Sequence, residues 1–238
     1  MTHHDAFHKF FHGQGLFSGL GVPALPDTYD WDIPLSSATF VNNVAGRNSY
    51  ERNVALKHAL NEHWQRNPDR RRELLEWIVK DWGGIRGNKP ATLDGYLVRM
   101  SSSRPETPLQ GIASFSKVLA IADPHSHAIY DARVAVSLNA IQLLSGVTGG
   151  LAFPYVPGRN KTTGDWSQSR KRGFSTRPEF AVKKLCSAPH TWRRIVRDKA
   201  YGDYLRLLGT YTSRDFRLYD LEMALFSQAE VLAKRAMT

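Results

Sequence analysis

The segment from Asp131 to Leu144 constrains the fold most strongly, because its side chains are apolar on nearly every side of a helix. A helix that is apolar all round has to be enclosed by other elements. In the preceding segment Ile112, Phe115 and Leu119 are spaced as one helix face, which ends at Asp123-Pro124. The sequence therefore predicts a central helix that follows a second helix after a short turn.

The same periodicity predicts further helices over most of the chain. They run from about Ser49 to Gln65, from Asn67-Pro68 to Trp82, from about Thr92 to Met100, and near 178–186, 189–208 and 215–235. The sequence contains neither an internal repeat nor an alternating strand pattern of convincing length. We therefore expect an all-α protein.

Glycine and proline recur between residues 13 and 46 without a helical period. This pattern predicts an irregular N-terminal arm over residues 1–46, followed by a helical domain over residues 47–238. No partner cluster of Cys, Asp or Glu accompanies His3, His4, His8 and His12 at the N-terminus, so we predict no metal site and no cofactor.

The chain is strongly basic, with 32 Lys and Arg against 22 Asp and Glu, a net charge of +10. A polyanionic partner is the first expectation for such a chain. Its single cysteine, Cys186, excludes an intramolecular disulfide framework and any all-cysteine metal centre. No apolar run approaches the length of a membrane span, so we expect a soluble cytoplasmic protein that associates with the nucleoid.

Two segments carry a resemblance to a known family. Residues 108–120, PLQGIASFSKVLA, and residues 128–135, AIYDARVA, resemble the helix-hairpin-helix DNA glycosylase superfamily, especially its 8-oxoguanine-glycosylase-like branch. The resemblance implies a two-lobed helical fold whose lobes share one cleft, with a degenerate hairpin in which only Gly111 is recognisable. It also implies that Lys117 and Asp131 are catalytic, and that the protein excises a damaged or modified base from double-stranded DNA.

The chemistry of base excision explains why these two residue types are suitable. Breaking an N-glycosidic bond leaves positive charge on the sugar, which a fixed carboxylate such as Asp131 stabilises while it activates a nucleophile. The nucleophile is either water or the amine of Lys117, which would form a Schiff base with the opened sugar. Ala113 occupies the position at which lyase-competent members of the family carry their lysine, and this favours water. By helical spacing Lys117 faces either a cleft or bulk water.

Further residues are predicted to contact DNA. Arg86 and Lys89 lie in a basic turn, and Ser114 and Ser116 accompany the Gly111 turn, where free backbone N–H groups suit a phosphate. The irregular segment 146–175 contributes further basic residues, which are Arg159, Lys161, Arg170, Lys171 and Arg172. Its aromatic residues Phe153, Tyr155 and Trp166 are candidates for stacking on an extruded base. We expect the protein to act as a monomer.

Other interpretations of the same residues stay open. Asp131 alone fits an ordinary helix N-cap, and Lys117 alone fits a solvated lysine. A non-catalytic helical DNA-binding protein is the main alternative function. His190-Thr-Trp-Arg193, with Tyr211 and Tyr219 downstream, matches a short motif of tyrosine recombinases, a weak signal. The excised base, whether 8-oxoguanine, an alkylated base or a modified cytosine of phage DNA, is left open, as is the choice between repair and antiviral defence.

Overall fold

The computed structural model of the chain describes residues 1–41, 44–102, 105–158, 160–164 and 173–238. Within these ranges the protein is all-α apart from one two-residue parallel pair, β1 (Leu151–Ala152) with β2 (Arg193–Arg194). The helices are α1 (His3–Phe11), α2 (Leu25–Thr28), α3 (Ser49–Arg66), α4 (Arg71–Trp77), α5 (Pro90–Met100), α6 (Ile112–Ala122), α7 (Ala132–Leu144), α8 (Val182–Leu185), α9 (Ala200–Gly209), α10 (Leu218–Ser227) and α11 (Ala229–Ala236). No helix in the described ranges has the length and apolar composition needed to cross a membrane.

The prediction of a central helix is confirmed by α7, which packs against α1, α10 and α11. Its buried polar side chains are hydrogen-bonded: the Ser137 hydroxyl donates to the Leu225 carbonyl at 2.6 Å, and the Asn139 amide donates to the Phe153 carbonyl at 2.9 Å. Because buried polar groups without partners are costly, these bonds fix the neighbours of α7 in one register.

The helix α6 lies between α3 and the end of α4, which continues as a π-helical turn over Ile78–Trp82. Gly111 precedes α6 with a φ of +77°, a left-handed conformation that favours glycine. The Tyr96 ring of α5 stacks on Phe115 with centroids 4.9 Å apart, and its hydroxyl donates to the Gly111 carbonyl at 3.3 Å. These contacts join α5 to the start of α6.

The expectation of an irregular arm over residues 1–46 is wrong for its first residues. Thr2 and Asp5 cap α1 reciprocally, and α1 buries Phe7, Phe10 and Phe11 while its histidines lie on the more exposed side. Residues 13–40 form only short turns and the one-turn helix α2. This helix was missed because histidines alternate with its apolar residues in the sequence and make its amphipathic pattern hard to recognise.

The three predicted C-terminal helices also need correction. In the segment 189–208 the α-helix begins only at Ala200, because the Arg193 N–H donates to the Gly150 carbonyl at 2.8 Å and the Ile195 N–H donates to Ala152 at 3.1 Å. The segment 215–235 is interrupted at Gln228, which separates α10 from α11. Near 178–186 the structure has a 3₁₀ turn, Pro178–Phe180, and the short helix α8.

Candidate active site

An open cleft with a volume of about 630 Å³ leads to an inner cavity of about 50 Å³. The cleft is in the size range of ligand sites, roughly 300–1,000 Å³. The residues that line both spaces are Trp31, Gly83, Lys117, Asp131 and Phe226. The structure therefore brings the two predicted catalytic residues together where the cleft meets its inner cavity.

Asp131 is the N-cap of α7, and its two carboxylate oxygens have different surroundings. Oδ1 accepts hydrogen bonds from the backbone N–H groups of Arg133 at 2.9 Å and Val134 at 3.0 Å. Oδ2 lies 4.0 Å from Nζ of Lys117. The capping role is therefore real, and it leaves the second oxygen available for chemistry in the cleft.

Lys117 is buried, with 7% of its surface exposed, and lines the cleft instead of facing bulk water. Its Nζ donates to the Ala113 carbonyl at 3.0 Å, one helical turn earlier, because long helical side chains lean towards the N-terminus. Burial lowers the pKa of this amine, while the nearby Asp131 carboxylate opposes the shift. Along the axis of α6 the amine therefore lies beside Ala113, although the backbone of Lys117 is one helical turn further towards the C-terminus.

Gly83, just after the π-helical turn, provides the space that Lys117 occupies. A Cβ atom at this position would lie 2.8 Å from Cδ of Lys117 and 2.8 Å from the carbonyl oxygens of Ile78 and Val79. The Gly83 N–H donates to the Ile78 carbonyl at 2.9 Å and so completes the π-helical turn. A side chain here would collide with the lysine or with the backbone.

Glu222 of α10 lines the inner cavity and was not predicted as a site residue. Its Oε2 accepts a hydrogen bond from Nζ of Lys57 at 2.6 Å, and the two side chains are only 3% and 2% exposed. Burial raises the pKa of Glu222, against the effect of Lys57. The available signal in the sequence was a glutamate between Leu221 and Leu225, within the apolar face of a helix.

Four aromatic residues form the wall of the inner cavity, and two of them come from the N-terminal segment. Tyr29 and Trp31 line this space together with Trp82 and Phe226. The Trp31 ring nitrogen donates to the Trp82 carbonyl at 3.0 Å, and its ring lies edge-on to Phe226 with centroids 5.2 Å apart. Trp82 is only 3% exposed, so it belongs to the core and to the cavity wall at once.

The residues predicted to contact phosphate lie in different environments. Ser114 lines the cleft and accepts a hydrogen bond from the Asn88 side chain at 2.7 Å. The prediction for Ser116 is wrong in this conformation: it is fully buried, and its oxygen accepts from the Tyr130 N–H at 3.0 Å. Arg86, Lys89 and Lys161 are exposed, the last beside residues of the cleft rim.

The aromatic candidates of segment 146–175 need a similar correction. Phe153 is completely buried beside α7, where its N–H and carbonyl both bond to Asn139, so it has no surface to offer to a base. Tyr155 is half-buried, and its hydroxyl donates to the Phe180 carbonyl at 2.9 Å. Arg159, Trp166, Arg170, Lys171 and Arg172 lie outside the described residues.

The recombinase motif is not assembled among the described residues. The Tyr211 hydroxyl donates to the His4 carbonyl at 3.0 Å, and the Tyr219 hydroxyl accepts from Arg217 at 2.7 Å, so neither bonds to His190 or Arg193. No group of three metal-ligating side chains is found in the same ranges.

Comparison of the chain with known protein families, with curated proteins and with solved structures finds no match.

Proposed function

We propose that the protein is a DNA glycosylase, which turns a damaged or modified base out of duplex DNA and cleaves its N-glycosidic bond. The observation that supports this most strongly is the 4.0 Å separation of Lys117 Nζ and Asp131 Oδ2 at the junction of the cleft and its aromatic inner cavity. A nucleophile or cation next to a fixed carboxylate is the arrangement that an electron-poor sugar carbon requires.

Asp131 stabilises the transition state in this proposal. Two backbone N–H groups hold its Oδ1, so Oδ2 keeps a fixed position relative to a sugar in the cleft. As the base departs with the bonding electron pair, positive charge develops on the sugar and is balanced by this carboxylate. In the hydrolytic route Oδ2 also accepts a proton from the attacking water, which leaves an abasic site in an intact strand.

Lys117 supports a second route at the same position. Its amine is buried, has a lowered pKa, and reaches back to the level of Ala113. A neutral amine would attack C1′ of the sugar and displace the base, and after loss of a proton and ring opening the product is a Schiff base. The position of the amine offsets the one-turn shift of the lysine in the sequence, so the lyase route gains support.

The surrounding structure supplies the other parts of such an enzyme. We propose that α5, the Gly111 turn and α6 form the degenerate hairpin of a two-lobed glycosylase-like fold. The cleft would take the extruded nucleotide, and Trp31 and Phe226 would contact its base. The net charge of +10 favours the DNA backbone as the partner.

The test is base release from a panel of duplexes that each carry one damaged or modified base. We expect abasic sites with at least one substrate, and their loss in Asp131→Asn by about 100-fold or more, the effect typical of removing a transition-state charge partner. The amide keeps an oxygen for the helix cap, so the unfolding midpoint and DNA affinity stay near those of the wild type. Undiminished release by the Asn variant would exclude this role for Asp131.

A non-catalytic DNA-binding protein is the alternative, and the capping role of Asp131 favours it, because a cap alone accounts for the residue. The same panel separates the two functions. Tight binding of duplex DNA without release of any base would support the binding protein.

A further inference from the structure

A second basic surface lies outside the cleft, on the segment 183–199. Six cationic side chains are exposed within these seventeen residues, against the single acidic residue Asp198. They are Lys183, Lys184, Arg193, Arg194, Arg197 and Lys199. None of the six forms an ion pair with a carboxylate of the described residues.

Several exposed arginines elsewhere in the described chain are paired with carboxylates. Arg47 is bonded to Glu51, Arg66 to Glu62 and Arg206 to Asp203, each within its own helix turn or cap. Each of these three arginines has its carboxylate three or four residues away, whereas Asp198 is the only carboxylate within segment 183–199. The cations of segment 183–199 keep their full charge, which an external anion can neutralise.

The backbone of the segment is held firmly to the body of the protein. Trp192 is 2% exposed, and its ring nitrogen donates to the Val147 carbonyl at 2.7 Å. Arg193 and Arg194 form β2, paired with β1, and β1 in turn bonds at Leu151 to both ends of the Gln142 amide. Charges on a fixed backbone lose less entropy on binding than charges on a free tail.

The attachment of β2 to β1 indicates how far Arg193 and Arg194 lie from the catalytic cleft. Asp131 caps one end of α7, while Gln142, near the other end, holds β1 and through it the basic segment. From Asp131 to Gln142 the helix rises about 16 Å, at 1.5 Å per residue. Along duplex DNA this rise corresponds to roughly five base pairs, at about 3.4 Å per step.

We propose that segment 183–199 is a second DNA-contact surface, which binds backbone phosphates outside the cleft, with Arg193 and Arg194 roughly five base pairs from the nucleotide that the cleft holds. The choice of duplex DNA as the partner depends on the proposed function. Val196 is the one large apolar residue of the segment that is strongly exposed, at 60%. A surface so poor in apolar side chains fits a phosphate backbone better than a membrane, where such side chains anchor the contact.

The experiment measures how the affinity for an unmodified duplex depends on salt. We would replace Lys183, Lys184, Arg193 and Arg194 together by glutamine, and plot log K against log salt concentration. Each lost phosphate contact lowers the slope by about 0.9, so we expect a slope smaller by about 3 to 4. The wild-type slope should fall similarly with an unmodified duplex that is too short to contact the cleft and the second surface at the same time.

The matched control removes the same charge from exposed arginines that have partners, through Arg47→Gln, Arg66→Gln, Arg70→Gln and Arg206→Gln. An equal change of slope in this control would overturn the proposal, since net charge alone would then explain the effect. An unchanged slope in the fourfold variant would overturn it too. Loss of binding to phosphatidylserine vesicles with an unchanged DNA slope would assign the segment to a membrane instead.

Failure of this inference is distinguishable from failure of the proposed function. Binding to an unmodified duplex requires no base release, whereas the Asp131→Asn experiment measures release alone. A reduced slope in a protein that excises no base would retain the second surface and exclude the glycosylase.

Discussion

Burial changes the chemistry available to the Lys117 amine. In water a lysine of ordinary pKa is almost entirely protonated at neutral pH and cannot attack a sugar. The Lys117 side chain is buried on α6 beside Gly83 and Asp131, and this burial lowers the pKa of its amine. The Asp131 carboxylate, 4.0 Å away, partly opposes the shift. The neutral fraction of the amine is therefore larger than for an exposed lysine.

This predicts a specific pH dependence of covalent trapping. In the lyase route only the neutral amine attacks, so trapping of the DNA complex by borohydride should rise with pH. Because the pKa of Lys117 is lowered, the rise should level off below pH 10.5, the ordinary lysine value. Lys117→Ala should abolish trapping, whereas Lys161→Ala, which removes an exposed lysine near the cleft, should not. Base release without trapping at any pH would instead support attack by water.

The buried pair of Lys57 and Glu222 is the other residue-scale feature of the cavity. Removing one partner of such a pair leaves an uncompensated charge inside the protein, which typically costs about 3–5 kcal/mol. We expect this loss of unfolding free energy for Lys57→Met in urea denaturation. The double variant Lys57→Met with Glu222→Leu should recover most of it, because two apolar side chains of similar volume need no counter-charge.

The exposed pair Arg66 and Glu62 is the matched control, and Arg66→Ala should change stability by less than about 1 kcal/mol. The pH dependence provides a further check. The pKa of Glu222 is already raised in the fold and should rise further without Lys57, so the folded state binds more protons than the unfolded state. The difference in stability between the wild type and Lys57→Met should then become smaller as the pH falls, because the other carboxylates are common to both proteins. A difference that grows on acidification would contradict the assignment.

At the scale of elements, the π-helical turn Ile78–Trp82 is what opens a path for Lys117. Single π-helical turns widen a helix locally and are frequent at functional sites. Here the turn ends at Gly83, against which the lysine side chain lies. The geometry of α4 therefore controls the position of a residue on α6.

Gly83→Ala should disturb this arrangement. The added Cβ would lie 2.8 Å from Cδ of Lys117 and 2.8 Å from each of two backbone carbonyl oxygens. We therefore expect overpacking to lower the free energy of unfolding by about 1–3 kcal/mol. Under the lyase route, borohydride trapping should also fall, because the amine is displaced. Gly87→Ala in the same loop is the control, since its Cβ would meet nothing within 4 Å. Equal effects of the two substitutions on stability and trapping would contradict the argument.

The sequence was informative about α6 and α7 because both patterns are local. Asp131 and Lys117 lie on consecutive helices, and the family resemblance of their two short segments implied that they share one site, whereas helical spacing alone left Lys117 facing either a cleft or bulk water. Phe153 and Ser116 were misjudged because their burial depends on distant partners, which no local pattern reveals. Glu222 and Trp31 were missed for the same reason: only the three-dimensional packing brings α10 and the N-terminal segment to the cleft.

At the scale of the whole molecule, the N-terminal segment and the junction of α10 and α11 are bonded to each other beside the site. The Gln228 side chain accepts from the Gly21 N–H at 2.7 Å, and donates to the Gly21 carbonyl at 2.9 Å and to Thr28 at 3.2 Å. This glutamine, between α10 and α11, holds the N-terminal segment that carries Tyr29 and Trp31. The aromatic wall of the cavity therefore depends on a contact between residues about two hundred positions apart.

Gln228→Ala should loosen the N-terminal segment. It leaves buried groups of Gly21 without partners, which typically costs about 1–3 kcal/mol for each group. We expect lower stability in urea and faster proteolysis within residues 13–40 than in the wild type. Gln65→Ala, which removes an exposed hydrogen bond to Ala122, should leave both properties nearly unchanged. Unaltered proteolysis of the Gln228 variant would show that other contacts hold the segment.

The division of labour between the two oxygens of Asp131 has an evolutionary consequence. Under the proposed function, replacing the oxygen that faces Lys117 by an amide nitrogen removes the chemistry, while the other oxygen still starts the central helix. A single substitution would thus turn a base-excising enzyme into an intact protein that holds a modified nucleotide without cutting it. An enzyme that excises the base and a protein that only binds the modified nucleotide would then differ by one substitution, which leaves the fold stable.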